Sequence, residues 1–183
     1  MEQNISRKEM WNTAAKAGLV LGLIPTAYMF VTMWIAGTPG FVSTILSMIL
    51  WIAKFIGCIW VMRFFMKKYA GEHPQIDNKD TFNLGMAMAL LSALVYSAAA
   101  FANAAFISGD VLAEQINLSM QQMSSMMDSN SMAMMETFIQ KLPQLTFFMN
   151  LIYCTAFGTV LSFILSRNIP SRDPFADYKP DQQ

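Results

Sequence analysis

Four long apolar stretches constrain this chain more than any other feature. A helix needs about 20 residues to cross a hydrocarbon core of ~30 Å, and each stretch is that long: Ala14–Ala36, Thr44–Phe65, Phe82–Ile107 and Leu145–Leu165. Asp80 or Thr81 is expected to cap the third helix. Only 13% of the residues are charged, whereas soluble domains carry about 25%. The sequence therefore predicts an all-α integral membrane protein, with a four-helix transmembrane bundle.

The first span follows Arg7 and Lys8, as the apolar part of a signal peptide would. It is longer than a signal peptide's apolar segment, and no clear A-x-A cleavage site follows it. We therefore expect this segment to be retained as a span. Residues 1–170 are predicted to form a single membrane domain, and the Pro-containing tail 171–183 is expected to be disordered.

Basic residues are distributed unevenly between the two sides of the predicted bundle. Lys141 alone falls on the side of the long 108–144 loop, and Lys54 falls inside a span. The other basic residues share the opposite side: Arg7, Lys8, Lys16, Arg63, Lys67, Lys68, Lys79, Arg167, Arg172 and Lys179. Because Lys and Arg accumulate in cytoplasmic loops, both termini are predicted to be cytoplasmic and the 108–144 loop to be outside.

The outer loop Ser108–Gln144 has the pattern of an amphipathic helical hairpin. Apolar residues recur every three or four positions from Leu112 to Met127, and a shorter helix is expected at Met132–Leu142. Thioethers adapt to irregular partner surfaces, so a contact face for a protein partner is predicted at Met120, Met123, Met127 and Met135. Thioethers also select copper(I), but no His or Cys lies in the loop. We therefore predict no metal site.

Small residues at spacings of four occur in two of the spans. They are Gly18 and Gly22 in the first span, and Gly85 and Ala89 in the third. In lipid, helices associate where small side chains allow their backbones to approach closely. Packing within the bundle is the favoured interpretation, and a homodimer contact is the alternative.

Lys54 is the strongest candidate for a functional residue. It lies near the middle of the second apolar stretch, where a charge costs about 3 kcal/mol or more. At similar depth the other spans offer Tyr28, Ser92, Tyr96 and Tyr153, but none of them contains an Asp or Glu. The amine is then neutral, hydrogen-bonded within this polar layer, or paired with an outside anion, for example an anionic lipid. The structural alternative is that its long stem extends toward water.

The remaining polar residues show no pattern typical of enzymes. There is no GxSxG, HExxH, P-loop or dinucleotide-binding motif. His73 is expected to be a solvated loop residue, and Cys58 and Cys154 to be free thiols within the spans. The net charge of zero gives no basic field for nucleic acid. No catalytic activity, cofactor or nucleic-acid partner is predicted.

The whole layout resembles a known family. The likeness is carried by Gly18 and Gly22 in the first span, and by the segment Asp80-Thr81-Phe82-Asn83-Leu84-Gly85 after a basic loop. A long outer amphipathic loop and a final span ending in Ser-Arg-Asn-Ile-Pro complete it. These features are similar to the bacterial four-span proteins called domain of unknown function 4199. The resemblance implies an inner-membrane protein of unassigned function, and it implies no site residues.

Three functions follow from these observations. The first is a small accessory or scaffold protein that binds other membrane proteins through its outer Met-rich hairpin and small-residue faces. The alternative is a binder or transporter of an anionic lipid or small solute that uses Lys54 and the polar layer around it. A membrane enzyme acting on lipid-linked substrates is the third. It requires convergent polar groups at one membrane surface, which the sequence does not offer.

Overall fold

A computed structural model describes residues 7–36, 41–73, 76–123, 134 and 137–169. Its helices, in chain order, are α1 (Arg7–Ala36), α2 (Phe41–Glu72), α3 (Asn78–Ala102), α4 (Gly109–Met123) and α5 (Leu142–Ser166). A π-helical turn, Asn103–Ile107, continues α3. No strand occurs among the described residues. The fold is therefore all-α, as predicted.

Four of these helices, α1, α2, α3 with its π-helical turn, and α5, are long and apolar enough to cross a membrane. Each predicted span lies inside one of them, but the helices extend further. The largest differences are at the start of α1, which begins at Arg7 rather than Ala14, and at the end of α2, which continues to Glu72 rather than Phe65. Hydropathy marks the apolar part of a helix, whereas backbone hydrogen bonds continue into the polar flanks.

The residue that caps α3 differs from the expectation of Asp80 or Thr81. The N-cap is Asp77, whose carboxylate accepts a hydrogen bond from the Asp80 backbone N–H at 2.9 Å. The Asp80 carboxylate in turn accepts from the Asp77 backbone N–H at 3.4 Å. This capping box satisfies two helix-end donors reciprocally. The expectation was wrong by one helical turn, because the polar residues Asn78 and Lys79 belong to the helix although they are not apolar.

His73 also departs from its expected place as a solvated loop residue. Its side chain is only 25% exposed. The imidazole ring packs on the Tyr69 ring with the centroids 4.5 Å apart, and Nδ1 lies 3.1 Å from the Tyr69 backbone oxygen. Its Nε2 lies 3.8 Å from a Glu9 carboxylate oxygen. His73 therefore links the end of α2 to the start of α1.

The central helix of the bundle is α3, which packs mainly against α1 and α5. Its buried residues recur along its whole length, from Thr81 to Ala100. In α2, by contrast, the buried residues are Met62, Met66 and Tyr69, all in its second half. The first half of α2 thus contributes no buried residue, although its Lys54 and Phe55 side chains contact aromatic rings of α1 and α5.

The hydrophobic core lies at the end of the bundle where α1 and α3 begin and α2 and α5 end. We call this end the base, and the other end the α4 end. Core residues at the base come from all four spanning helices or from the segments beside them: Ala14, Ala17, Leu21, Met62, Met66, Tyr69, Ile76, Leu84, Ala87, Met88 and Ile169. Because the core is concentrated at the base, space remains between the helices nearer the α4 end.

The outer loop is described in part. Its first helix is α4, which starts at Gly109 and so includes Asp110 in its first turn. Residues 134 and 137–140 are helical as well. The expected turn between the two loop helices lies outside the described residues, as does the tail 171–183.

Candidate functional site

A cavity of about 210 Å³ lies between α1, α2, α3 and α5, and Lys54 is one of its lining residues. Each of the four spanning helices contributes side chains to its wall. The lining comprises Leu21 and Pro25 of α1; Trp51, Lys54, Phe55, Cys58 and Met62 of α2; Ala89, Ser92 and Tyr96 of α3; and Asn150, Tyr153, Cys154, Phe157, Gly158 and Leu161 of α5. Lys54 is the only charged residue in this lining, and no carboxylate is present.

The ammonium of Lys54 packs against an aromatic ring. Its Nζ lies 4.3 Å from the centroid of the Tyr28 ring, which α1 supplies. The negative face of an aromatic ring attracts a cation by about 0.5 to 2 kcal/mol, depending on desolvation. That is less than the ~3 kcal/mol or more needed to hold a charge near the bilayer centre. An amine that is charged at that depth would therefore need a further partner besides the ring.

Polar and apolar residues separate along the cavity. Because α2 and α5 run from the α4 end toward the base, Lys54 and Tyr153 lie nearer the α4 end than Met62 and Leu161 do. On α1 and α3, which run the other way, Leu21 and Ala89 lie toward the base, and Tyr96 lies toward the α4 end. Most polar side chains of the lining therefore lie toward the α4 end, where Trp51 also lies, and the wall toward the base is apolar.

A second cavity, of about 300 Å³, lies next to the first on its α4 side. It is lined by Met29, Tyr96, Ala100, Asn103, Ala104, Ser108, Val111, Gln115, Thr146 and Asn150. Tyr96 and Asn150 line both cavities, so the two spaces share a wall. We call the first the lysine cavity and the second the outer cavity. No side chain in the lining of the outer cavity carries a charge.

The structure brings most of the predicted polar layer together. Lys54, Ser92, Tyr96 and Tyr153 all line the lysine cavity. Tyr28 is not in this lining, but its ring contacts the Lys54 ammonium. Tyr153 is 69% exposed and therefore lies at the rim.

Sequence reasoning missed Asn150, which lines both cavities. Its side-chain N–H donates to the Thr146 backbone oxygen at 2.9 Å. The signal was available, since an amide inside the apolar stretch Leu145–Leu165 is unusual. Cys154 was interpreted only as a small apolar side chain, but it faces the same cavity as Cys58.

On one side, the bundle around the cavities is held together by contacts of small residues between α1 and α3. A Cβ added at Gly18 would lie 2.7 Å from the Leu91 Cβ, and one at Gly22 would lie 2.8 Å from the Ser92 backbone oxygen. These distances are shorter than van der Waals contact, so the two helices approach each other backbone to backbone. Both glycines thus lie against another helix of the same chain.

A second seam of small residues joins α3 to α5. A Cβ at Gly85 would meet the Ser162 side chain, and one at Gly158 would lie 2.5 Å from the Ala89 Cβ. The Ser162 hydroxyl donates to the Phe82 backbone oxygen at 2.9 Å and links the same two helices. The walls that α1, α3 and α5 give to the lysine cavity are therefore closely packed, whereas the α2 wall is not.

The side chains of the predicted outer contact face lie outside the part of the chain that the structure describes. Met120 and Met123 belong to α4, and their side chains are outside the description. Met127 and Met135 lie outside the described residues altogether. The Met-rich contact face therefore stays a prediction.

Comparison with known proteins identifies a family. The family model described as "Protein of unknown function (DUF4199)" matches residues 16–167. This match extends from within α1 to just past the end of α5, and it confirms the resemblance noted in the sequence. No curated protein and no solved structure matches the chain.

Proposed function

We propose that this chain, which belongs to the DUF4199 family of proteins of unknown function, is a non-enzymatic membrane protein that binds an anionic amphiphile in the lysine cavity. We further propose that it resides in the bacterial inner membrane, with both termini cytoplasmic and the 108–144 loop periplasmic. The uneven distribution of Lys and Arg between the two sides supports this orientation.

The observation that carries the proposal is a lysine in the wall of an intramembrane cavity whose lining contains no carboxylate. An ammonium in a medium of low dielectric is stabilised most by an opposite charge. The Tyr28 ring offsets only part of the cost. A phosphate or similar anion in the cavity would supply the counter-charge that the lining lacks.

The shape of the lysine cavity favours an amphiphile over a small hydrophilic anion. The wall toward the base is formed by apolar side chains such as Leu21, Met62 and Leu161. An apolar chain can contact this wall as it contacts the surrounding lipid, without leaving a polar group unpaired. A small inorganic anion would leave this half of the cavity unused.

The accessory role through the Met-rich face is a second candidate, but it gains no support from the described residues. The side chains that define that face are not among them. An enzyme on lipid-linked substrates gains none either, because the lining of the lysine cavity offers no pair of carboxylates for acid–base chemistry.

Replacing Lys54 with methionine tests the proposal. Methionine keeps the length and apolar stem of the side chain but removes the charge. We expect the variant, extracted in a mild detergent, to retain at least about fivefold less co-purified anionic lipid than the unmodified protein, because a charge-assisted contact contributes about 1.5–3 kcal/mol. Native mass spectrometry of the bound lipids gives the measurement.

The matched control is Lys67→Met. Lys67 lies on the same helix but is exposed and outside the cavity lining. We expect this variant to retain the same lipids as the unmodified protein, and both variants to keep the helical content of the parent by circular dichroism. Equal loss of lipid in the two variants, or no loss in either, would contradict the proposal.

A further inference from the structure

We infer that the lysine cavity and the outer cavity form one composite site for a particular class of ligand: an amphiphile whose single negative charge lies between an apolar tail and an uncharged, hydroxyl-bearing head group. This inference rests on the proposed function and adds the chemistry of the head group to it. Glycerol and sugar head groups attached to a phosphate belong to this class.

The two cavities adjoin at Tyr96 and Asn150, which line both. A ligand atom beside these side chains is therefore in reach of either space. The order of the three environments along the bundle is fixed by the directions of the helices. Apolar residues lie toward the base, Lys54 and the polar rim lie in the middle, and the outer cavity lies toward α4. A ligand that fills all three has its tail toward the base and its head group under α4.

The outer cavity has the composition of a site for neutral hydrogen-bonding groups. Besides Tyr96, its lining contains three amides and two hydroxyls: Asn103, Gln115, Asn150, Ser108 and Thr146. An amide carries both donors and an acceptor, and a hydroxyl can act as either. Such groups match the hydroxyls of a glycerol or sugar, which also donate and accept.

Internal hydrogen bonds use only part of this capacity. The Ser108 hydroxyl donates to the Asn103 side-chain oxygen at 3.2 Å, and Asn150 donates one N–H to the Thr146 backbone at 2.9 Å. Each amide has two N–H donors and one oxygen that accepts up to two bonds. The Asn103 amide N–H donors and the Asn150 amide oxygen are thus the groups that we assign to the ligand.

The absence of charge in the lining of the outer cavity gives the site its selectivity. A head group with additional charges, such as the amine and carboxylate of a serine, would find no opposite charge in this lining to pair with. A phosphate monoester without a head group would bind Lys54 but would form no hydrogen bonds with the amides of the outer cavity. Both classes should therefore bind more weakly than a glycerol-linked phosphate.

The experiment compares three lipids with identical acyl chains: phosphatidylglycerol, phosphatidic acid and phosphatidylserine. Each is titrated into the delipidated full-length protein in detergent, and the occupied fraction is measured by native mass spectrometry. We expect phosphatidylglycerol to bind at least about fivefold more tightly than either of the others, which corresponds to one or two additional hydrogen bonds.

Two variants on α4 localise the effect. Gln115→Leu removes an amide from the outer cavity, whereas Gln122→Leu makes the same change at an exposed position of α4 outside that lining. We expect Gln115→Leu to reduce the preference for phosphatidylglycerol at least twofold and Gln122→Leu to leave it unchanged. Both variants should still bind phosphatidic acid as the parent does.

The outcomes separate the inference from the proposed function. Equal affinity of the parent protein for the three lipids would overturn the composite site. If Lys54→Met also bound all three lipids more weakly than the parent, the proposed function would still stand. A preference for phosphatidylglycerol that Gln115→Leu does not change would also overturn it. If Lys54→Met changes the affinity for none of the lipids, the proposed function fails and the inference fails with it.

Discussion

Replacing Gly158 with alanine is expected to destabilise the bundle by about 1–3 kcal/mol, the usual cost of inserting a methyl group into a packed contact. The added Cβ would lie 2.5 Å from the Ala89 Cβ, well inside van der Waals contact. An alanine Cβ has no flexible end that can rotate away, so α3 and α5 must separate to admit it. The measurement is the unfolding of the protein in mixed detergent–SDS micelles, followed by circular dichroism.

Gly57 provides the matched control on α2. A Cβ added there would meet nothing within 4 Å. Alanine is a better helix former than glycine by about 1 kcal/mol, so Gly57→Ala should be neutral or slightly stabilising. Replacing glycine with alanine is thus predicted to lower the stability of the protein on α5 and to leave it unchanged or raise it on α2.

A reciprocal exchange distinguishes the close contact from a general effect of alanine on α5. In the double variant Ala89→Gly with Gly158→Ala, the new Cβ would instead face the position 89 Cα, at 3.4 Å, which is an ordinary contact. We expect the double variant to be more stable than the sum of its two single variants predicts, by about 1 kcal/mol or more. Additive effects, or a stabilising Gly158→Ala, would contradict the packing of α3 against α5.

Relative to a free thiol in solution, the two native cysteines are expected to favour an anionic thiol reagent over a cationic one, and Lys54→Met is expected to reduce this preference at least tenfold. Cys58 and Cys154 are the chain's only cysteines, and both line the lysine cavity. The probes are the methanethiosulfonates that carry a sulfonate or a trimethylammonium group. Labelling is followed by intact mass in detergent.

The expected size follows from Coulomb's law. A unit charge about 7 Å from a reagent, at an effective dielectric constant of about 20, changes the free energy by about 2 kcal/mol. The change has opposite signs for the two reagents, so their rate ratio shifts by about 4 kcal/mol, and because 1.4 kcal/mol is a factor of ten, tenfold is the lower bound of the expected change. Comparing the ratio of the two rates removes other effects of the substitution, because a change in the fraction of ionised thiol alters both rates equally.

The controls for this labelling use the same chain. Cys58→Ser with Cys154→Ser gives the background, and Lys67→Met should keep the ratio of the unmodified protein. If Lys54→Met leaves the ratio of the anionic to the cationic labelling rate unchanged, the charge of Lys54 does not influence reagents in the cavity.

The sequence predicts the helices of this bundle well because their signal is local. Any apolar stretch long enough to cross the membrane must form a helix in lipid, where every backbone hydrogen bond has to be satisfied. The ends are predicted less well, as α2 shows by continuing to Glu72. The cap of α3 was misplaced for a related reason, since Asp77 is separated from the apolar residues by a polar first turn.

The candidate site was only partly predictable, because it depends on which helices are neighbours. Depth along the spans is sufficient to place Ser92, Tyr96 and Tyr153 at the level of Lys54. Depth does not reveal that the Tyr28 ring contacts the ammonium. Nor does it reveal that the buried residues of α2 lie only in its half toward the base, which leaves a cavity beside Lys54.

The outer cavity was not predicted at all. It forms where the π-helical turn Asn103–Ile107 leads into α4, and where Thr146 and Asn150 of α5 come opposite Asn103. Asn103 is far from Thr146 and Asn150 in the sequence. Only the packing of α3 against α5 shows that they share one space.

Photo-crosslinking of an anionic lipid in a bilayer tests most directly whether Lys54 holds such a lipid in the lysine cavity. The full-length protein is placed in vesicles that contain phosphatidylglycerol with a diazirine in its acyl chain, and the labelled peptides are identified by mass spectrometry. We predict that label concentrates on the cavity-lining segments of α2 (residues 51–62) and α5 (residues 150–161), and that Lys54→Met removes this concentration whereas Lys67→Met does not. Label spread evenly over the lipid-facing residues of all the spanning helices, and unchanged in Lys54→Met, would contradict a lysine-dependent lipid site.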